Sequence, residues 1–212
     1  MQYLKNYPKH LLVLAVSFVM ATSAHAQSSS AAMLAVTQKS GKIFVSDGVS
    51  KKLVASALNN IQPIAAANHV YYINNAVSNK MVIRAYSVAD NTTTDVVAAE
   101  MLNSGNAADK KITNMVFDQV ANRLYFSTAT VNAQGYESYL TWYYNPADNA
   151  VKIFADGKVT AVDNAGTVET EMHNVDARGS YVQKHVNKMD GTPGAAGVRT
   201  YTNATATKSS TN

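Results

Sequence analysis

The string ETEMHN places Glu169, Glu171 and His173 at alternate positions. On a strand that spacing turns all three side chains to one face. Two carboxylates and an imidazole so arranged suit a divalent metal, or acid–base work by the paired carboxyl groups. His185, further along, is expected near them. Alternate polar residues are also what the solvent side of an antiparallel sheet carries, so ligation and a plain solvent-facing strand both stand as readings.

The densest aromatic set is Tyr136, Tyr139, Trp142, Tyr143 and Tyr144. On a strand, Tyr139, Thr141 and Tyr143 share one face, and Leu140, Trp142 and Tyr144 share the other. A strand apolar on both faces packs on both faces, which gives Trp142 a buried place between two sheets. The other use of such a set is an aromatic platform for a sugar or peptide, with Trp142, Tyr139 and Tyr143 as its residues. His69, beside Tyr71 and Tyr72, reads as a half-buried sheet residue.

Other chemistries are excluded by what is missing. The chain has no cysteine, which rules out a thiolate nucleophile, a disulfide framework, a zinc–thiolate site and an iron–sulfur cluster. It has no Gly-rich phosphate loop, no G-x-S-x-G elbow and no HExxH pair. Asp-Gly at Asp47, Asp156 and Asp190 lacks the calcium-loop pattern and is expected to form three hairpin turns. No cofactor is indicated beyond the divalent metal considered above.

The elements that position these residues are strands. Segments rich in Val, Ile, Thr, Tyr and Phe are cut by Gly, Asn, Asp and Pro throughout, and only residues 95–111 have helix-friendly composition, enough for a turn or two. One unit reads IQPIAAA, HVYYINNA, MVIRAYSV, TDVVAA, and the next reads ITNMVF, RLYFSTATV, SYLTWYYN, VKIFA: four strands each, in up-and-down order. His69 aligns with Arg123, and Ser87 of SVADN with Asn145 of NPADN; the extra residues fall in the loop 132–137. Three strands precede these units, in MLAVTQ, KIFVSDG and KKLVASA. Downstream, VRTYTNATATKSSTN resembles LTWYYNPADNAVKIF, which sets Tyr201 about one repeat after Tyr144, in a fourth copy that stops before its last strand.

The expected class is therefore all-β: repeated four-stranded antiparallel sheets in a partial or small, about four-unit, propeller-like array. The two central units resemble blades of the periplasmic propellers of the TolB and YncE-like kind, with the DxxxNRLYFS turn and the YLTWYYNPADNAVKIF outer strands carrying the likeness over about half the mature chain. The resemblance implies the fold alone.

The N-terminus opens with a basic stretch, an apolar run over residues 11–21 and then SAHAQ, the form of a secretory signal cut between Ala26 and Gln27. The apolar run is shorter than the ~20 residues of a membrane span. The expected organisation is a signal peptide over 1–26, a flexible lead-in over 27–33, the β domain over 34–203 and a disordered polar tail over 204–212. Removal of Lys5 and Lys9 lowers the formal charge from +4 to about +2, too little to argue for nucleic acid. The functional expectation is an exported, periplasmic or secreted, non-enzymatic binding protein that presents loops to a protein, peptide or glycan and self-associates through open sheet edges. Two alternatives remain, a metal-assisted hydrolase or lactonase-like propeller, and a fragment of a longer propeller.

Overall fold

The computed structural model describes residues 34–56, 60–77, 80–102, 111–131 and 137–201. The expected signal peptide, lead-in and tail lie outside the described residues. The strands form four antiparallel sheets in chain order. The first holds β1 (Ala35–Lys39), β2 (Lys42–Ser46) and β3 (Lys51–Ser56). The second holds β4 (Asn60–Ala66), β5 (His69–Val77), β6 (Lys80–Ser87) and β7 (Thr92–Val97); the third holds β8 (Lys111–Asp118), β9 (Arg123–Val131), β10 (Glu137–Asn145) and β11 (Ala150–Asp156). The fourth holds β12 (Lys158–Val162), β13 (Val168–Asp176), β14 (Gly179–Asn187) and β15 (Pro193–Tyr201). The helix-friendly segment yields one 3-10 turn, Ala99–Met101, among the described residues.

Turn chemistry explains why the chain nearly repeats itself. In YSVADN and YNPADN the last residue, Asn91 or Asn149, closes the third hairpin of its sheet with a positive φ of 58° or 52°, a left-handed conformation that asparagine tolerates better than other non-glycine residues. Asp118 and Asp163 do the equivalent work in the first hairpin of the third and fourth sheets. Each carboxylate accepts two backbone N–H groups of its own turn, Val120 and Ala121 at 2.8 and 3.0 Å in one case, Ala165 and Thr167 at 2.8 Å in the other. Such Asx turns fix the hairpin ends so that the strands between them keep register.

The sheets pack in succession, with the first strand of each against the first strand of the next: β1 on β4, β4 on β8, β8 on β12. Three buried clusters fill the three seams. Ile43, Val45, Val70, Tyr72 and Tyr86 join the first sheet to the second; Ile73, Ile83, Ile112, Phe126, Trp142 and Tyr144 stand among those joining the second to the third; Tyr125, Phe154, Val159 and Val168 join the third to the fourth. Among the described residues no buried cluster joins the fourth sheet to the first.

Two expectations about the fourth unit are corrected. Its last strand is formed, as β15, so the copy does not stop short, and Tyr201 lies in this outermost strand, whereas Tyr144 lies in the third strand of its own sheet. The alignment matched β-rich composition across unequal positions. What fixes Tyr201 in place is local: its hydroxyl donates to Asp176 Oδ2 at 2.7 Å, and the Arg178 guanidinium lies 4.5 Å over its ring. The third correction concerns Asp156-Gly157. It is the single-residue link from β11 to β12, hence between sheets, and only Asp47-Gly48 and Asp190-Gly191 lie in hairpin turns.

Candidate functional site

Strand β10 sends its two faces to different neighbours, as its alternation requires. Trp142 and Tyr144 enter the seam with the second sheet, while Tyr143 packs toward the fourth and Thr141 Oγ1 donates to the Gly157 carbonyl at 2.7 Å. Trp142 is 1% exposed, and its indole Nε1 donates to Thr128 Oγ1 at 2.9 Å. A buried indole has no face to offer a sugar or peptide, so of the three platform residues only Tyr139 and Tyr143 are partly exposed. The Tyr143 ring is covered by Arg123, 4.7 Å from its centroid, and packs against Tyr125 and Phe154. Tyr139 is left at the rim.

Gly157 sets the geometry of that rim. Its φ of +97° belongs to the region that glycine adopts without cost, and its N–H donates to the Tyr139 carbonyl at 2.9 Å. The chain thus crosses from the third sheet to the fourth in one residue and holds β10 and β13 side by side. Two recesses open along this seam, and Asp156 and Met172 belong to both. The smaller, about 150 Å³, is lined by Ser138, Tyr139, His173 and Asn174 in addition. The larger, about 400 Å³, has Ile153, Ala155, His185, Asn187 and Pro193 among its walls.

At the smaller recess the ring of His173 lies 5.1 Å from that of Tyr139, and His173 Nε2 is 2.8 Å from Glu171 Oε1. The Tyr139 hydroxyl donates to Glu137, and Lys158 Nζ stands 5.8 Å over the ring. Burial first, then the Glu137 carboxylate and the more distant Glu171, push the Tyr139 phenol up to about 12. It is a hydrogen-bond donor at any physiological pH.

The three residues read as metal ligands do share a face of β13, but their polar atoms are divided. Glu169 Oε1 accepts from Thr160 Oγ1 at 2.6 Å and from Lys184 Nζ at 2.9 Å, and these contacts, the hydroxyl first, hold its carboxyl below the usual range. Glu171 serves His173. Among the described residues no three His, Asp or Glu side chains gather in a way that could hold a metal ion. His185 is on the opposite face: it pairs with Thr170 across β13 and β14 and lines the larger recess. His69 is half-buried, 5.9 Å from the Tyr71 ring.

Sequence reasoning missed Met172 and Asp156. Met172 sits inside the string ETEMHN, but the alternation that turns Glu171 and His173 to one face turns it to the other, beside Gly157 and the larger recess, and no pattern in the sequence says what stands there. Asp156 was hidden by its Asp-Gly context.

No protein-family model matches this sequence, and no curated protein matches it. Solved structures do resemble it in shape. The acylaminoacyl peptidase of Pyrococcus horikoshii superposes with a TM-score of 0.52 at 12% identity, over 76% of this chain and 29% of that one. TolB from Acinetobacter baumannii gives 0.50 at 13% identity, over 76% and 40%. The propeller domain of the Trilobed protease from Pyrococcus furiosus gives 0.51 at 7% identity, over 76% and 48%. The chain has a β-propeller fold. The four sheets are its blades, and the chain spans less than half the length of each of these proteins. Identities this low carry the fold and no activity. No helix among the described residues is long and apolar enough to cross a membrane.

Proposed function

We propose that this propeller chain is an exported binding protein that takes its ligand, a peptide or a glycan, in the seam between the third and fourth blades. The observation that carries the reading is the pair of recesses meeting at Asp156 and Met172, one with aliphatic walls at Ile153, Ala155 and Pro193, the other with polar and aromatic groups at Tyr139 and His173. An apolar floor with a few convergent polar groups is what a small binding site requires. Rings with one polar edge, as at Tyr139 and His173, suit ligands that are apolar on one side and hydroxylated or amidic on the other. Export is supported by the N-terminal pattern of charge, apolar run and Ala-His-Ala.

The test is an array of short peptides and oligosaccharides probed with the protein and with Met172→Trp, which fills the junction of the two recesses. The reading predicts saturable binding to one ligand class that the substitution abolishes. Binding that Met172→Trp leaves unchanged contradicts the seam as the site, and turnover of a bound ligand contradicts the non-enzymatic role.

A further inference from the structure

Among the described residues the first blade has three strands, one fewer than the others. The other three have four strands, and in each the last in chain order lies outermost. β3 ends at Ser56 and β4 of the second blade begins at Asn60, so among the described residues no fourth strand lies outside β3. Strand β1 packs inward on β4, which leaves β3 as the outer strand of its sheet.

The second blade, in contrast, extends past it. Tyr86 on β6 faces the first blade, in the cluster with Ile43 and Val45. Its cross-strand partner Thr93, and Asp95 two residues on, belong to the same face of β7, and residues Thr92 to Asp95 are exposed. The overhang carries the Arg84–Asp95 ion pair, Nε to Oδ1 at 2.7 Å. The edge of β3 and this ledge make a step one strand wide.

The charge at the step is one-sided. Residues 34–56 include Lys39, Lys42, Lys51 and Lys52 against Asp47 alone, and the Asp47 carboxylate is turned into its own loop, accepting from the N–H groups of Val49 and Ser50 at 2.9 and 2.7 Å. Lys51 and Lys52 are both on β3. Lys52 donates to the Asn91 side chain and lies over the Tyr86 ring, so its charge is held at the ledge; Lys51 lies 4.6 Å over Phe44, and Leu53, next along the strand on the same face as Lys51, is 48% exposed.

We propose that the outer edge of β3 is a strand-addition site for an extended acidic segment of a partner protein. Main-chain hydrogen bonds to the β3 edge would supply the attachment, as in other cases of strand addition. Side-chain alternation would set the preference: residues facing the ledge meet Thr93 and the Arg84–Asp95 pair and must be polar, and those facing away lie beside Lys51 and Leu53. Lysines on an edge strand are also a device that keeps edges unpaired. The two roles differ in their answer to charge, since a guard rejects neighbours generally and a docking strand accepts acidic ones. The site is separate from the seam of the third and fourth blades and stands or falls without it.

Amide hydrogen exchange of the full chain decides the matter. The probes are a ten-residue peptide of alternating Thr and Glu and the same peptide with Lys for Glu, each at millimolar concentration. The Glu peptide is expected to slow exchange within Lys51–Ser56 about fivefold, the Lys peptide to have no effect, and Lys51→Glu/Lys52→Glu to reverse the preference. Lys51→Glu alone, which leaves the Lys52–Asn91 contact in place, is expected to weaken the Glu peptide's effect if the double variant does not fold. No slowing by the Glu peptide would show that the lysines only guard the edge, equal slowing by both would show that charge does not select the added strand, and either result would overturn the proposal.

Discussion

The Trp142 indole N–H is bonded to Thr128 Oγ1 at 2.9 Å, a contact between two fully buried side chains on neighbouring strands at the centre of the largest cluster. It ties the third blade's own hydrogen bonding to the packing of the second blade against it.

Trp142 is the only tryptophan, so its emission reports this contact alone. It should be blue-shifted and poorly quenched by iodide in the native protein. Trp142→Ala should cost about 3–5 kcal/mol by opening a large cavity, and Thr128→Val, which keeps the volume and removes the acceptor, about 1 kcal/mol. Denaturant melts check both, and a freely quenched indole would place Trp142 at the surface.

The asparagine turns should respond unequally. A β-branched residue is poorly tolerated at positive φ, so Asn149→Val should destabilise by roughly 1–2 kcal/mol, while Asn149→Gly should be nearly neutral. Asn91→Gly should cost more than Asn149→Gly, because the Asn91 side chain also accepts from Tyr86 at 3.1 Å and from Lys52. Equal tolerance of valine and glycine at Asn149, measured by thermal melts, would contradict the left-handed turn.

Why these turns could be read in the sequence, and the seam could not, follows from distance along the chain. The repeated ADN strings, the strand alternation in β5, β6, β9 and β10 and the split faces of Trp142 and Tyr143 are local consequences of residue type, so the central blades were legible. The fourth blade was not: β12 to β14 lack the aromatic alternation, and β15 carries two glycines and two alanines, so its place depends on Asp176 and Tyr181 being in position to meet its Arg199 and Tyr201. The metal reading of Glu169, Glu171 and His173 saw the shared face correctly. It could not see that Lys184 and Thr160 reach Glu169, because they come from strands on either side. Nor could it place His185, whose face is fixed by the register of β14 on β13.

The ties of Glu169 predict an acid dependence. Its carboxyl lies below its ordinary value in the folded chain because Thr160 and Lys184 favour the charged form. A lowered carboxyl stabilises the fold above its unfolded value of about 4.3, and that stability is lost as pH falls through the folded value. Glu169→Gln should therefore lose stability at pH 6, by less than about 1 kcal/mol for so exposed a pair, and lose little at pH 3. Urea midpoints at the two pH values check this, and an unchanged difference between them would show that the pair carries no stability.

Gly191 predicts a sharper effect. An added Cβ would stand 2.4 Å from the Phe154 carbonyl oxygen, and φ there is +82°. Gly191→Ala should loosen the fourth blade from the third, with a loss of at least about 1 kcal/mol in melts; a neutral outcome would mean that the β14–β15 hairpin does not press on β11.

The binding reading is tested most directly by the footprint of a ligand from the arrays on the amide and methyl spectra of the protein. The account predicts shifts concentrated at Tyr139, Ile153, Asp156, Met172, His173 and His185, on both sides of the seam between the third and fourth blades. A footprint on the first and second blades or on the hairpin turns, with those residues unmoved, would contradict it.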